Sequence, residues 1–242
     1  MNRTALAFAA ALAVGCTARS AVPEQSPAAS GAAPEMSFHF ERPGLPVPEY
    51  QLVLRQDGTG SYEGLEMPAV SERATAAADT AARPGEPFRQ PVLVSPATVR
   101  RMFTLAQSLK QFNTTCASKA KNVADTGTKT LTYRGPEGAG SCTYNYSENK
   151  GVVQLTDLFF GIAETMDEGR RLDHLQRYDR LGLDSAIGFL AQEVTDGRAL
   201  ELGAIAPTLR SIAGDSELMQ RVRLRASKLL SLLPADLQIK AP

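Results

Sequence analysis

Residues 50–64 read Tyr50-Gln51-Leu52-Val53-Leu54-Arg55-Gln56-Asp57-Gly58-Thr59-Gly60-Ser61-Tyr62-Glu63-Gly64. Tyr50, Leu52 and Leu54 alternate with Gln51, Val53 and Arg55, the period-two pattern of a strand with one buried face. Asp57-Gly58 ends the run. Glycine takes the positive φ of a tight turn without strain, so Thr59 to Gly64, carrying Tyr62, reads as the returning strand. Upstream, Phe38-His39-Phe40-Glu41 alternates in the same way before the breaker-rich stretch 42–48. Downstream, the Ala-rich stretch 65–85 reads as a mobile loop with at most one helical turn, and Phe88 to Val94 as a strand that Pro91 confines to an edge or a bulge.

A helix follows, with Ser95 as N-cap, Pro96 in the first turn, and Val99, Met102, Phe103, Ala106 and Leu109 on one face. Leu131 and Tyr133 alternate with Thr130 and Thr132. Cys142, Tyr144 and Tyr146 share a face of the next strand across the turn at 135–140. A second helix starts near Lys150 with the stripe Leu155, Leu158, Phe159, Ile162 and Met166. Strands, helix, strands, helix predicts an α+β domain over 37–166: an antiparallel sheet with helices packed on one face. From residue 167 to 242 the sequence reads as a small all-helical module. One of its helices uses Ile187, Phe189, Leu190 and Val194 and stops at Asp196-Gly197.

Asp57-Gly58 together with Thr128-Lys129-Thr130-Leu131-Thr132-Tyr133 resembles uncharacterised α+β domains of secreted and lipid-anchored bacterial proteins. That resemblance implies a fold and no activity. Ile205 to Asp215, followed by Val222-Arg223, Ala226, Leu229, Leu230 and Leu233, resembles a single HEAT-like helical hairpin. One such unit cannot bury its own faces, so it is expected to pack on the long helix.

At the N-terminus, Arg3 precedes an apolar stretch from Ala5 to Val14, and residues 1–15 have the shape of a secretory signal peptide. Leu12-Ala13-Val14-Gly15-Cys16 resembles the lipobox of bacterial lipoproteins, although Leu12 stands four residues before the cysteine and Ala13 takes the slot three before it. The resemblance implies lipidation at Cys16. Thr17, where inner-membrane lipoproteins tend to carry Asp, implies an outer-membrane anchor facing the periplasm or the cell surface. Residues 16–36, rich in Ala, Ser and Pro, read as a flexible tether reaching at most about 65 Å. With Cys16 lipidated, Cys116 and Cys142 remain. In an oxidising compartment they are expected to form a disulfide worth about 3 kcal/mol in the chain-entropy model; a catalytic thiol is the competing reading.

With 26 Lys+Arg against 26 Asp+Glu, the chain lacks the basic excess that drives phosphate neutralisation, so no nucleic-acid partner is expected. Motifs G-x-S-x-G, H-E-x-x-H, C-x-x-C and the P-loop are missing, and two histidines, His39 and His174, are too few for common multi-histidine zinc sites. Both read as solvated residues. Glu164, Asp167 and Glu168 amid Arg170 and Arg171 read as a solvated helix face. Tyr144 and Tyr146, or the basic stripe Arg221, Arg225 and Lys228, offer a candidate binding surface. The expectation is a non-enzymatic binding or scaffold protein with an envelope protein partner and no cofactor. An envelope hydrolase with a carboxylate-based site is the alternative.

Overall fold

The computed structural model describes residues 33–67 and 85–234. Cys16, the signal peptide expected over 1–15 and most of the tether expected over 16–36 lie outside the described residues, as does most of the loop expected over 65–85.

Six strands form one antiparallel sheet: β1 (Glu35–Glu41), β2 (Glu49–Arg55), β3 (Thr59–Glu66), β4 (Glu86–Leu93), β5 (Thr128–Gly135) and β6 (Gly138–Tyr144), in the order β4-β3-β2-β1-β5-β6. The register puts Phe38 between Leu52 and Leu131, Met36 between Leu54 and Tyr133, and Leu52 beside Tyr62. These side chains are fully buried or nearly so, all on one face. The opposite face is polar, and on it Thr130 pairs with Thr143 and Thr132 with Ser141 through their hydroxyls. β1 begins at Glu35, inside the expected tether, because Met36 completes the buried row and is 0% exposed. β4 is an edge strand, as Pro91 requires, and Gly58 turns β2 into β3 at φ +88.

The described residues also form five α-helices: α1 (Pro96–Ser108), α2 (Lys150–Tyr178), α3 (Leu183–Thr195), α4 (Ala206–Gly214) and α5 (Gln220–Ser231). Ser95 caps α1 through its hydroxyl, which accepts from the Thr98 amide. The cap is itself held from far along the chain: Glu201 accepts from the Ser95 amide at 2.7 Å, from the Ser95 hydroxyl at 2.9 Å and from the Thr98 hydroxyl. Glu201 adopts φ +60 to do so, a conformation uncommon outside glycine.

Helix α2 crosses the whole sheet. Thr156 bonds to Tyr144 of β6, Phe159 stacks on Phe38 of β1 with centroids 5.0 Å apart, Asp167 accepts from Tyr62 of β3, and Arg170 covers Phe88 of β4. From Thr156 to Arg170 a helix rises about 21 Å. Six strands span about 24 Å. The match means that α2 runs nearly at right angles to the strands. On its other side the C-terminal helical part approaches closely: a Cβ on Gly161 would stand 2.6 Å from Leu200, and one on Gly169 2.3 Å from Ile205. The Leu200 amide donates to the Gly161 carbonyl, and Leu200 in turn accepts from the Thr165 hydroxyl. The boundary expected at residue 166 therefore falls inside a continuous helix that the sheet and the C-terminal helices share, and one buried apolar cluster runs from Met36 to Leu233.

Within the helical part, Leu209, Ile212, Val222, Ala226 and Leu229 are buried, and Asp215 accepts from the Glu217 amide in the turn between α4 and α5. Phe189, expected in the core of α3, is instead 44% exposed. Cys116 and Cys142 stand at disulfide distance with Cα atoms 5.9 Å apart, tying the loop after α1 to β6.

Substituting Gly169→Ala is expected to destabilise the protein by about 1–3 kcal/mol in denaturant unfolding, because a methyl group must displace Ile205 in a filled interface. Gly214→Ala, with nothing within 4 Å of the new Cβ, is expected to be neutral or stabilising. Equal effects at the two sites would contradict the close packing of α2 on the C-terminal part.

Candidate functional site

Residues 160, 163, 164, 167, 168, 171, 174 and 175 recur at three- and four-residue spacing on α2, so they share one side of the helix. The stripe starts apolar with Phe160 and Ala163, turns acidic with Glu164, Asp167 and Glu168, and ends with Arg171, His174 and Leu175. It faces the end of the sheet where β1 passes into β2. Between them lies a cleft of about 1220 Å³. Phe40, Tyr50, Leu45, Pro46 and Val47 form one wall; Met67, Gly85, Glu86 and Pro87 border another side. The acids lining it are Glu66, Glu86, Glu164, Asp167 and Glu168, against the guanidinium groups of Arg170 and Arg171.

Asp167 is the best-connected acid. Tyr62, fully buried in the sheet, donates to its Oδ1 at 2.9 Å, and Arg170 Nε stands 3.7 Å from the same oxygen. Arg170 is itself held tightly: Nη2 donates to Glu66 at 2.7 Å, and the guanidinium lies 3.6 Å above the Phe88 ring. Its side chain is only 11% exposed. A desolvated cation over an aromatic face is worth about 2 kcal/mol, which offsets part of the cost of withdrawing it from water.

Burial pushes the Asp167 carboxyl up to about 7, against the pull of Arg170 and of the Tyr62 hydrogen bond, with Glu164 and Glu66 adding repulsion. Glu164 is raised by burial and then by Glu168 and Glu193. Glu168 is raised by burial although Arg171 Nη1, 3.3 Å from its Oε1, opposes the shift. Its other oxygen, Oε2, is buried without a hydrogen-bond partner among the described residues, and so is Arg170 Nε. Such groups are rare in native structures, because an unmade bond to a buried charge costs more than a made one contributes.

The acids expected on a solvated face thus line a cleft, since the helix presents that face to the end of the sheet. Of the two candidate binding surfaces, the tyrosines do not share an exposed face, and the basic stripe lies exposed along α5 with its two arginines engaged. Tyr144 is buried, its hydroxyl bonded to Thr156 and its pKa pushed up by burial to about 12. Tyr146 lies beyond the end of β6 and is 46% exposed. Arg221 Nε donates to Asp184 at 2.9 Å and Arg225 bonds the same carboxylate, so both serve to join α5 to the first turn of α3, while Lys228 is exposed. His39 stands on the polar face of the sheet, 3.8 Å from Glu49. His174 lines the cleft. Sequence reasoning missed the cleft residues Tyr50, Phe160, Asp167, Glu168 and Arg170 as a set; the signal present was the stripe along α2.

Among the described residues, no three His, Cys, Asp or Glu side chains are grouped to hold a metal ion, and no helix is long and apolar enough to cross a membrane. Neither protein-family models nor the curated proteins searched give a match to this chain.

Asp167 holds its proton more tightly in the folded chain than in the unfolded one. Its contribution to stability is therefore complete below about pH 4 and is lost as pH rises through about 7. Asp167→Asn keeps an acceptor for Tyr62 and removes the charge. After allowance for solvent screening, the variant is expected to exceed the wild type in stability at pH 8 by about 1–2 kcal/mol and to lose that advantage at pH 4. Melting curves at the two pH values check this; a variant weakened at pH 8 would contradict a desolvated Asp167.

Proposed function

We propose that the chain is a lipid-anchored cell-envelope protein whose folded part binds a ligand or partner in the cleft between α2 and the end of the sheet, without catalysing a reaction. The observation that carries the binding reading is the cleft itself. Its walls are aromatic and aliphatic, and a few charged groups converge on its helix side, the composition of a recognition site. The anchor is supported by the lipobox-like Leu12-Ala13-Val14-Gly15-Cys16. An oxidising compartment is supported by Cys116 and Cys142 at disulfide distance. Thr17, where inner-membrane lipoproteins tend to carry Asp, supports an outer-membrane anchor, and the partner proposed is another envelope protein.

A second reading, an envelope hydrolase, is favoured by one observation: a carboxyl that titrates near 7 beside a second raised carboxyl, Glu164, is suited to general acid–base work. Hydrolysis of ester, amide or glycoside substrates that Asp167→Asn abolishes would install it in place of the binding reading.

Intact mass spectrometry of the protein from its native membranes is expected to show Cys16 acylated as the mature N-terminus and Cys116 and Cys142 resistant to alkylation without reductant. A photoreactive side chain at Leu45, in the cleft wall, is expected to yield a discrete adduct, and one at Thr143, on the polar face of the sheet, none. Unmodified Cys16 contradicts the anchor. Equal yields at Leu45 and Thr143 contradict the cleft.

A further inference from the structure

We infer that the cleft takes an organic cation, a protonated amine carried on an apolar stem, with the ammonium group seated against Glu168 Oε2 and flanked by Glu164 and Asp167. This rests on the reading of the cleft as a binding site and adds the chemistry of what binds. Three independent features point the same way.

Carboxylates outnumber guanidinium groups in the lining, so the cleft is electronegative and selects for positive charge. Both guanidinium groups are already engaged, Arg170 by Glu66 and Arg171 by Glu168 Oε1. The second feature is the orphan oxygen: the Glu168 side chain is 10% exposed, and its Oε2 is buried with no partner among the described residues. An ionised carboxylate has only acceptor sites, so what completes it is a donor, and a charged donor forms the strongest such bond. The third feature is the approach. Phe40, Leu45, Pro46 and Val47 form an apolar wall beside the acids, which suits a hydrocarbon stem and gives nothing to a hydrated inorganic ion. Among the described residues the acids are not grouped to chelate a metal. An alkylammonium group needs one or two carboxylates and a dry wall for its stem, and that is the arrangement present. The amine arrives either as a free alkylamine or as the lysine side chain of a protein partner.

The test follows amide resonances of the full chain by nuclear magnetic resonance while n-hexylamine, n-hexanol, hexanoate or a leucine-lysine-leucine tripeptide amide is titrated in. Hexylamine is expected to shift residues 163–168 and the 45–47 wall and to bind at least tenfold more tightly than hexanol, with hexanoate silent. Glu168→Gln, which keeps the oxygen that faces Arg171, is expected to weaken hexylamine at least fivefold while leaving hexanol unchanged; Glu164→Gln is the second variant should the first unfold. A tripeptide that outbinds hexylamine assigns the cation to a protein partner, and the reverse assigns it to a free amine; both outcomes support the inference. Hexanol or hexanoate binding in the cleft as tightly as hexylamine overturns the cation and leaves the cleft standing. Shifts scattered outside the cleft for every probe overturn both.

Discussion

Helix α2 has to be buried on two sides at once, and the rest of the architecture follows from that constraint. The sheet takes one side through the Phe159–Phe38 stack and the edge-on contacts of Phe160 with Phe38 and Phe40. The C-terminal helices take the other, where only glycine fits at residues 161 and 169. A helix 29 residues long outruns the sheet it crosses. Past Phe160 the helix still reaches Tyr62 of β3 through Asp167 and Phe88 of β4 through Arg170, while the stripe through Glu164, Asp167 and Glu168 borders the β1–β2 connection. There the stripe becomes charged and the cleft begins. The clasp of Glu201 on the α1 N-terminus closes the other end of the assembly, so the C-terminal part is fixed to the sheet side of the molecule at both α1 and α2.

The treatment of buried charge differs between the core and the cleft. Lys129 occupies a core-facing position in β5, beside Phe40 and Phe160, and its Nζ donates to the Thr126, Gly127 and Asn145 carbonyls and to the Thr126 hydroxyl. Burial lowers its pKa, yet its ammonium is well supplied with acceptors. Glu193, nearly buried, is held by a two-point bond from Arg198, which lowers its pKa. In the cleft the same chain leaves Glu168 Oε2 and Arg170 Nε without a hydrogen bond among the described residues, with Asp167 Oδ1 3.7 Å from that Nε, and burial pushes Asp167 up to about 7. Among the described residues the buried charged atoms left without a hydrogen bond are Glu168 Oε2, Arg170 Nε and, on α5, Arg223 Nε, so two of the three lie in the cleft lining.

Much of the scaffold was legible in sequence because its signals are local. The alternation through Tyr50, Leu52 and Leu54, the Asp57-Gly58 turn, the Ser95-Pro96 start of α1 and the stripe from Leu155 to Met166 each depend on neighbours within a few residues. The cysteine pairing was legible by elimination. The cleft was not, because it depends on what stands opposite α2. Glu164, Asp167 and Glu168 beside two arginines form the pattern of a solvated helix face, and only the crossing of α2 over the sheet turns that face inward. Met36 was hidden by the Ala- and Pro-rich residues before it, and Phe189 misled because its helix is covered on fewer sides than its apolar residues imply. The break expected at residue 166 rests on a change in composition; the helix continues through it because the charged stripe and the buried stripe lie on different sides of one rod.

The central claim is that the meeting of α2 and the sheet edge creates a desolvated, electronegative cleft. A carbon-13 titration of the Asp167 side-chain carboxyl in the folded protein tests it most directly, with Asp57 on the open β2–β3 turn as the internal reference. The account predicts a midpoint near 7 for Asp167 and a depressed value for Asp57, whose carboxylate accepts from the hydroxyl and amide of Thr59. An Asp167 midpoint in the ordinary carboxylate range near 4 would mean that water reaches the group freely, and would contradict the cleft as the site of function.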